Sequence, residues 1–92
     1  MTNYSRGADF ERTVKADLEA KGYVVSRVAG SHGSYDLVAL GPSEMFVQCK
    51  LNGKMSPKER ADLCEAAKWA YVKPVKAWRP KRGVIKYEEV KA

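Results

Sequence analysis

The chain is poor in the residues that build soft metal sites or disulfide frameworks. Two cysteines, Cys49 and Cys64, and one histidine, His32, are all that 92 residues contain. The cysteines sit in apolar patterns with no metal-ligand spacing. They read as two buried free thiols of a reducing compartment, which excludes a disulfide scaffold and a zinc knuckle. No run of 18 apolar residues exists, which excludes a membrane-crossing helix. The opening Met1-Thr2-Asn3-Tyr4-Ser5-Arg6 has no apolar segment, so no secretory signal is expected. Internal repeats, linkers and low-complexity tracts are also lacking. The expectation is one small cytoplasmic domain over residues 1–92, with one core.

What the chain has instead is positive charge, unevenly placed. Seventeen Lys and Arg against eleven Asp and Glu give +6, and the excess lies entirely after residue 53. From Lys73 to Arg82 there are five basic side chains, Lys73, Lys76, Arg79, Lys81 and Arg82, and no acid. Trp69, Tyr71 and Trp78 lie in or beside this run. Such a field suits a polyanion, through phosphate neutralisation and counterion release. A solvated face that keeps a small protein in solution accounts for the same charges. The tryptophans could stack on bases, or belong to a core or an interface between copies.

The pattern predicts seven elements. Phe10, Val14 and Leu18 at four-residue spacing give a helix over residues 6–21, with Ser5 as its N-cap and Gly22 as its stop. Residues 23–29 form a β-branched strand, followed by the loop Gly30-Ser31-His32-Gly33-Ser34. Strands over 35–40 and 45–51 flank the turn Gly41-Pro42-Ser43-Glu44 and should pair as an antiparallel hairpin. Ser56-Pro57-Lys58-Glu59 carries a capping box and an N1 proline. It opens a second helix to about residue 70, with Leu63, Cys64, Ala67 and Ala70 inside. Residues 71–77 form a fourth strand, with Pro74 arguing for an edge or a bulge. Residues 83–90 form a fifth. The order is α-β-β-β-α-β-β, an α/β fold with a mixed sheet of about five strands flanked by helices.

Three features converge on one chemistry. Asp36 opens an apolar strand after a Gly/Ser loop. Gln48 and Lys50 share one face of the third strand, and the hairpin can place Asp36 beside Gln48. A carboxylate, an amide oxygen and the Cys49 backbone carbonyl are hard donors suited to Mg²⁺ or Mn²⁺. Lys50 could then orient a water near a phosphate. Glu11 sits at the margin of the first helix's apolar stripe. It pairs either with the metal site or with Lys15 at i+4. His32 reads as a phosphate contact or as an exposed loop residue.

In this arrangement the chain resembles the PD-(D/E)xK nucleases, and among them the archaeal-type Holliday junction resolvases, which also occur in phages. The resemblance runs over residues 5–78. It rests on Arg6-Gly7-Ala8-Asp9-Phe10-Glu11-Arg12, on Arg27-Val28-Ala29-Gly30-Ser31-His32-Gly33-Ser34-Tyr35-Asp36, and on Gln48-Cys49-Lys50. It implies a restriction-endonuclease-like fold, with Glu11, Asp36 and Gln48 at the metal site and Lys50 as catalytic lysine. It implies DNA contacts from Arg12, Arg27 and Ser34, with Arg6 as a third arginine. The basic residues Arg79, Lys81 and Arg82 would hold a DNA arm. Two positions depart from the family pattern: Gln48 stands where a glutamate is usual, and Tyr35 where a proline is. The stretch after the second helix is also shorter, as in a compact phage version.

The implied activity is a Mg²⁺- or Mn²⁺-dependent endonuclease. It would cut four-way DNA junctions by paired symmetric nicks, as a homodimer, in a bacterial, archaeal or phage-infected cell. The dimer face would lie partly on the second helix, at Leu63, Ala67 and Ala70, which equally suit a core. Other branched DNA remains a substrate class. A non-catalytic nucleic-acid-binding module on the same fold is the alternative from another class.

Overall fold

The computed structural model describes residues 3–28 and 34–91. Most of the Gly/Ser loop, His32 included, lies outside the described residues, as does the Arg6 side chain. Helix α1 spans Asn3–Ala20. It begins earlier than its apolar spacing implies, so Ser5 lies inside the helix and does not cap it. Phe10, Val14 and Leu18 are buried along one stripe. The helix closes with the Tyr23 N–H donating to the Leu18 carbonyl and the Gly22 N–H to the Glu19 carbonyl, both at 3.1 Å. Gly22 takes φ 97° to allow this, a conformation that favours a residue without Cβ.

Strands β1 (Val24–Arg27), β2 (Leu37–Leu40) and β3 (Met45–Cys49) follow, then helix α2 (Pro57–Ala70), β4 (Lys73–Lys81) and β5 (Val84–Glu89). The expected element order holds. The five strands lie side by side in chain order. All neighbours are antiparallel except β3 and β4, which run parallel and are joined through α2. A parallel pair cannot be closed by a tight turn, and α2 supplies the crossover it needs.

Side chains alternate across the sheet. Val25, Leu37, Ala39, Met45, Val47, Val75 and Ala77 meet the α1 stripe in one apolar cluster. Helix α2 leans on β3 and β4 and buries Leu63 and Ala67 apart from that cluster. Those two residues are therefore core. Of the three residues considered for a face between copies, only Ala70 is exposed. The two cysteines are half-buried rather than buried.

Both ends of α2 match local chemistry. Ser56 and Glu59 exchange the reciprocal bonds of a capping box, with Pro57 at N1. At the far end Tyr71 takes the left-handed conformation at φ 59°, and its N–H and that of Val72 close on the Lys68 and Ala67 carbonyls.

Pro74 lies in β4, an interior strand, which corrects the expectation of an edge. Its missing N–H faces the β5 side. There Val90 donates its own N–H to the Pro74 carbonyl at 2.8 Å. The Val90 carbonyl accepts from the Cys64 thiol instead, at 3.6 Å. The register shift in this strand falls between Trp78 and Lys81, around Pro80.

Candidate active site

The topology brings the ends of four strands to one edge of the sheet. The C-terminal end of β1, the start of β2, the C-terminal end of β3 and the second half of β4 all lie there. The β2–β3 ladder ends at the Leu37–Val47 pair, with Asp36 just before β2 and Gln48 just beyond Val47. The Asp36 N–H donates to the Val47 carbonyl at 2.8 Å, and Asp36 Oδ2 accepts the Cys49 N–H at 2.9 Å. The carboxylate thus lies across the end of β3.

Burial pushes the Asp36 carboxyl above the ordinary carboxylate range. The Cys49 N–H opposes this. The negative charges of Glu11 and Glu59 add to it, and Lys50 partly offsets them.

Gln48 is only 6% exposed, and its Oε1 is a buried oxygen without a hydrogen-bond donor among the described residues. Buried polar atoms are nearly always paired, so such an orphan is unusual. Cys49 turns its N–H toward Asp36. In extended backbone the carbonyl of the same residue faces the same side, toward the β2 edge. The Cys49 thiol is pushed far up by burial and then by the Asp36 and Glu11 charges, so it is an inert neutral group.

Glu11 comes from α1, half-buried, with Oε1 accepting from Arg27 Nη2 at 3.2 Å. The Lys15 partner considered for it belongs to Glu19. Arg12 pairs with Asp9 at 3.2 Å on the exposed side of α1. Lys50 lies just past β3. Its N–H donates to the Ala77 carbonyl at 2.9 Å, and its carbonyl accepts the Gly53 N–H at 2.8 Å, which starts a turn. Its ammonium pairs with Glu59 of α2.

Ser34 lines a cavity of about 310 Å³ with Asp62, Glu65, Ala66 and Trp69 of α2. Arg79 lies over the Phe10 ring at 5.6 Å, which brings the basic strand to the middle of α1, next to Glu11. Lys81 and Arg82 are exposed where β4 turns into β5.

The family model described as archaeal Holliday junction resolvase (Hjc) matches residues 2–90. The chain belongs to this family. Similar in sequence is the crossover junction endodeoxyribonuclease Hjc of Methanocaldococcus jannaschii, 42% identical over 52 residues. That match covers 55% of this chain and 38% of the archaeal protein, so the chain matches well under half of that relative's length. The structure of Archaeoglobus fulgidus Hjc, a Holliday junction resolvase, superposes with a TM-score of 0.80. It covers 91% of this chain and 72% of that one at 24% identity, a likeness in fold.

The donors at the edge of this family member suit a hard divalent cation. Asp36 would supply charge, Gln48 Oε1 a buried oxygen with no donor among the described residues, and Cys49 its backbone carbonyl. Among the described residues no three His, Cys, Asp or Glu side chains cluster as ligands. Also among the described residues, no helix is long and apolar enough to cross a membrane.

One residue of the edge escaped the sequence. Glu59 is fully accounted for by its capping box, so its local pattern gives no hint that its second oxygen reaches Lys50. Arg27 and Glu11, sixteen residues apart, likewise meet only through the fold.

Proposed function

We propose that this chain is a metal-dependent endodeoxyribonuclease that resolves four-way DNA junctions by paired symmetric nicks, acting as a homodimer. The observation that carries this reading is the meeting, at one strand end, of the buried Asp36 carboxylate on the Cys49 N–H, of Gln48, whose Oε1 has no donor among the described residues, and of Lys50. Family membership and the name of the Methanocaldococcus relative support it.

Asp36, Gln48 Oε1 and the Cys49 carbonyl would hold Mg²⁺ or Mn²⁺, with Glu11 as a further carboxylate from α1. When bound, the ion supplies Lewis acidity to a phosphate oxygen and lowers the pKa of a water. Asp36 serves in its ionised form. Burial disfavours that form, and a cation held nearby would favour it. Lys50 orients the attacking water and stabilises negative charge as it develops on the phosphoryl oxygens. Arg6, Arg12, Arg27 and Ser34 position the DNA backbone by phosphate contacts. Arg79, Lys81 and Arg82 hold a second arm through the strand that runs past the site.

The test is cleavage of labelled four-way junction, flap, nicked duplex and linear duplex with Mg²⁺, Mn²⁺ or EDTA. Paired, metal-dependent nicks confined to the junction are expected. Cleavage of the other branched forms would remove junction selectivity. Binding without cleavage in either metal would make the chain a non-catalytic DNA-binding member of the family.

A further inference from the structure

Glu59 is a half-buried acid at this edge to which the chemistry above gives no task. Both of its oxygens are engaged. Oε1 accepts the Ser56 N–H at 2.9 Å, while the Glu59 N–H donates to Ser56 Oγ at 3.1 Å. Oε2 meets the Lys50 ammonium. The capping box therefore immobilises a carboxylate at the start of α2, and that carboxylate grips the lysine. The Lys50 backbone is fixed independently, by Ala77 on one side and Gly53 on the other. A flexible four-carbon stem is thus held at both ends. The pair is sheltered, with 26% of the Lys50 side chain and 32% of that of Glu59 exposed. An ion pair at that depth is less screened than one on the open surface.

We propose that Glu59 is a positioning residue for catalysis, its carboxylate setting the place from which Lys50 meets the attacking water. This rests on the nuclease reading above. No contact with DNA or the ion is assigned to Glu59. It acts through Lys50, and displacements of about 1 Å in a reacting group are known to cost on the order of 10²-fold in rate. It also keeps Lys50 from Asp36. Lys50 and Asp36 already interact through space, and without the Glu59 charge Asp36 becomes the competing acid for the ammonium.

Glu59→Gln separates the two duties. Glutamine at the third helical position keeps the acceptor for the Ser56 N–H but loses the charge. The single-turnover rate on saturating junction with Mg²⁺ should fall by on the order of 10–100-fold. Junction affinity in EDTA should stay within about twofold, and the melting temperature within about 3 °C. In a Lys50→Ala background Glu59→Gln should change nothing further. Glu59→Asp keeps the charge but not the reach, and should fall between.

A second readout needs no activity. In metal-free protein the Lys50 Cε resonances should shift and narrow toward those of a free lysine in Glu59→Gln. A Glu59→Gln rate equal to or above wild type, or an unaltered Lys50 spectrum, overturns the proposal while leaving the nuclease reading in place. A wild-type protein that cuts none of the DNAs sinks the nuclease reading, and the catalytic role of Glu59 with it.

Discussion

Two half-buried aspartates face opposite surroundings. Asp17 of α1 sits in a closed corner. Lys21 donates to its Oδ2 at 2.7 Å, and the Tyr87 hydroxyl of β5 donates to the same oxygen at 2.5 Å. Burial alone would raise its pKa, but these two donors hold it below the ordinary value. The Tyr87 hydroxyl is pushed far up, by burial and then by its bond to Asp17, so it stays a donor. Asp36 receives one backbone N–H, and the negative charges of Glu11 and Glu59 act on it. The first carboxylate meets two side-chain donors, whereas the second meets a backbone N–H in the field of two further acids. The difference separates an acid that holds structure from the acid that the proposed function assigns to chemistry.

The sharpest way to break this contrast is to neutralise each acid in turn. Asp36→Asn and Lys50→Ala should each reduce junction cleavage by on the order of 10²–10³-fold or more while DNA binding persists. Asp17→Asn should cleave at the wild-type rate per folded molecule. A wild-type rate from Lys50→Ala would dismantle the site assignment.

Charge at the two places should differ next. Alanine at Arg79, Lys81 and Arg82 together should flatten the salt dependence of junction binding, by roughly one slope unit for each phosphate no longer neutralised. Lys21→Ala, at the closed corner, should leave that slope alone. An unchanged slope in the triple variant would move the DNA elsewhere on the surface.

Stability should then run in opposite directions. Asp17→Asn loses a charge-assisted bond and should cost about 1 kcal/mol, toward the low end because the pair is partly solvent-screened. Asp36→Asn relieves a desolvated charge and should raise the melting temperature in metal-free buffer, a gain in stability bought with activity.

The smallest effect is the pH dependence of those two differences. Asp36 binds its proton more tightly folded than unfolded. Its contribution is full below the unfolded value of 3.8 and is lost as pH rises through the raised folded value. Asp17 contributes above 3.8 and loses that contribution as pH falls through its lowered folded value. Denaturant melts of both asparagine variants across the acid range should diverge from wild type with opposite signs. Parallel curves would erase the distinction.

The elements were legible where local chemistry carries them. Ser56-Pro57 marks the start of α2, the Phe10-Val14-Leu18 spacing marks the buried stripe of α1, and Gly22 marks its end. The antiparallel β2–β3 hairpin, which brings Asp36 to the end of β3, also followed from alternation and a short turn. What was hidden is long-range. Pro74 argued for an edge because sequence cannot show that its missing donor falls where Val90 needs none, the Cys64 thiol serving that carbonyl. Residues 71 and 72 left the fourth strand because the end of α2 closes over them. Trp69, open to core, interface or stacking roles, is 77% exposed. The depth of Gln48 and the reach of Glu59 depend on how α2 settles over β3 and β4, which no residue pattern states.

The turn that follows Lys50 is built against a tryptophan. Gly53, at φ 78°, lies so close to Trp78 that a Cβ there would stand 2.8 Å from the indole ring. Lys76 donates to the Gly53 carbonyl at 2.9 Å and lies over the same ring. The protein therefore carries its own optical gauge of this turn. Replacing the exposed Trp69 with phenylalanine leaves Trp78 as the sole indole emitter, seated beneath the loop that begins at the lysine. Its wavelength and yield would register any rearrangement there in real time, without a label, as metal and DNA arrive.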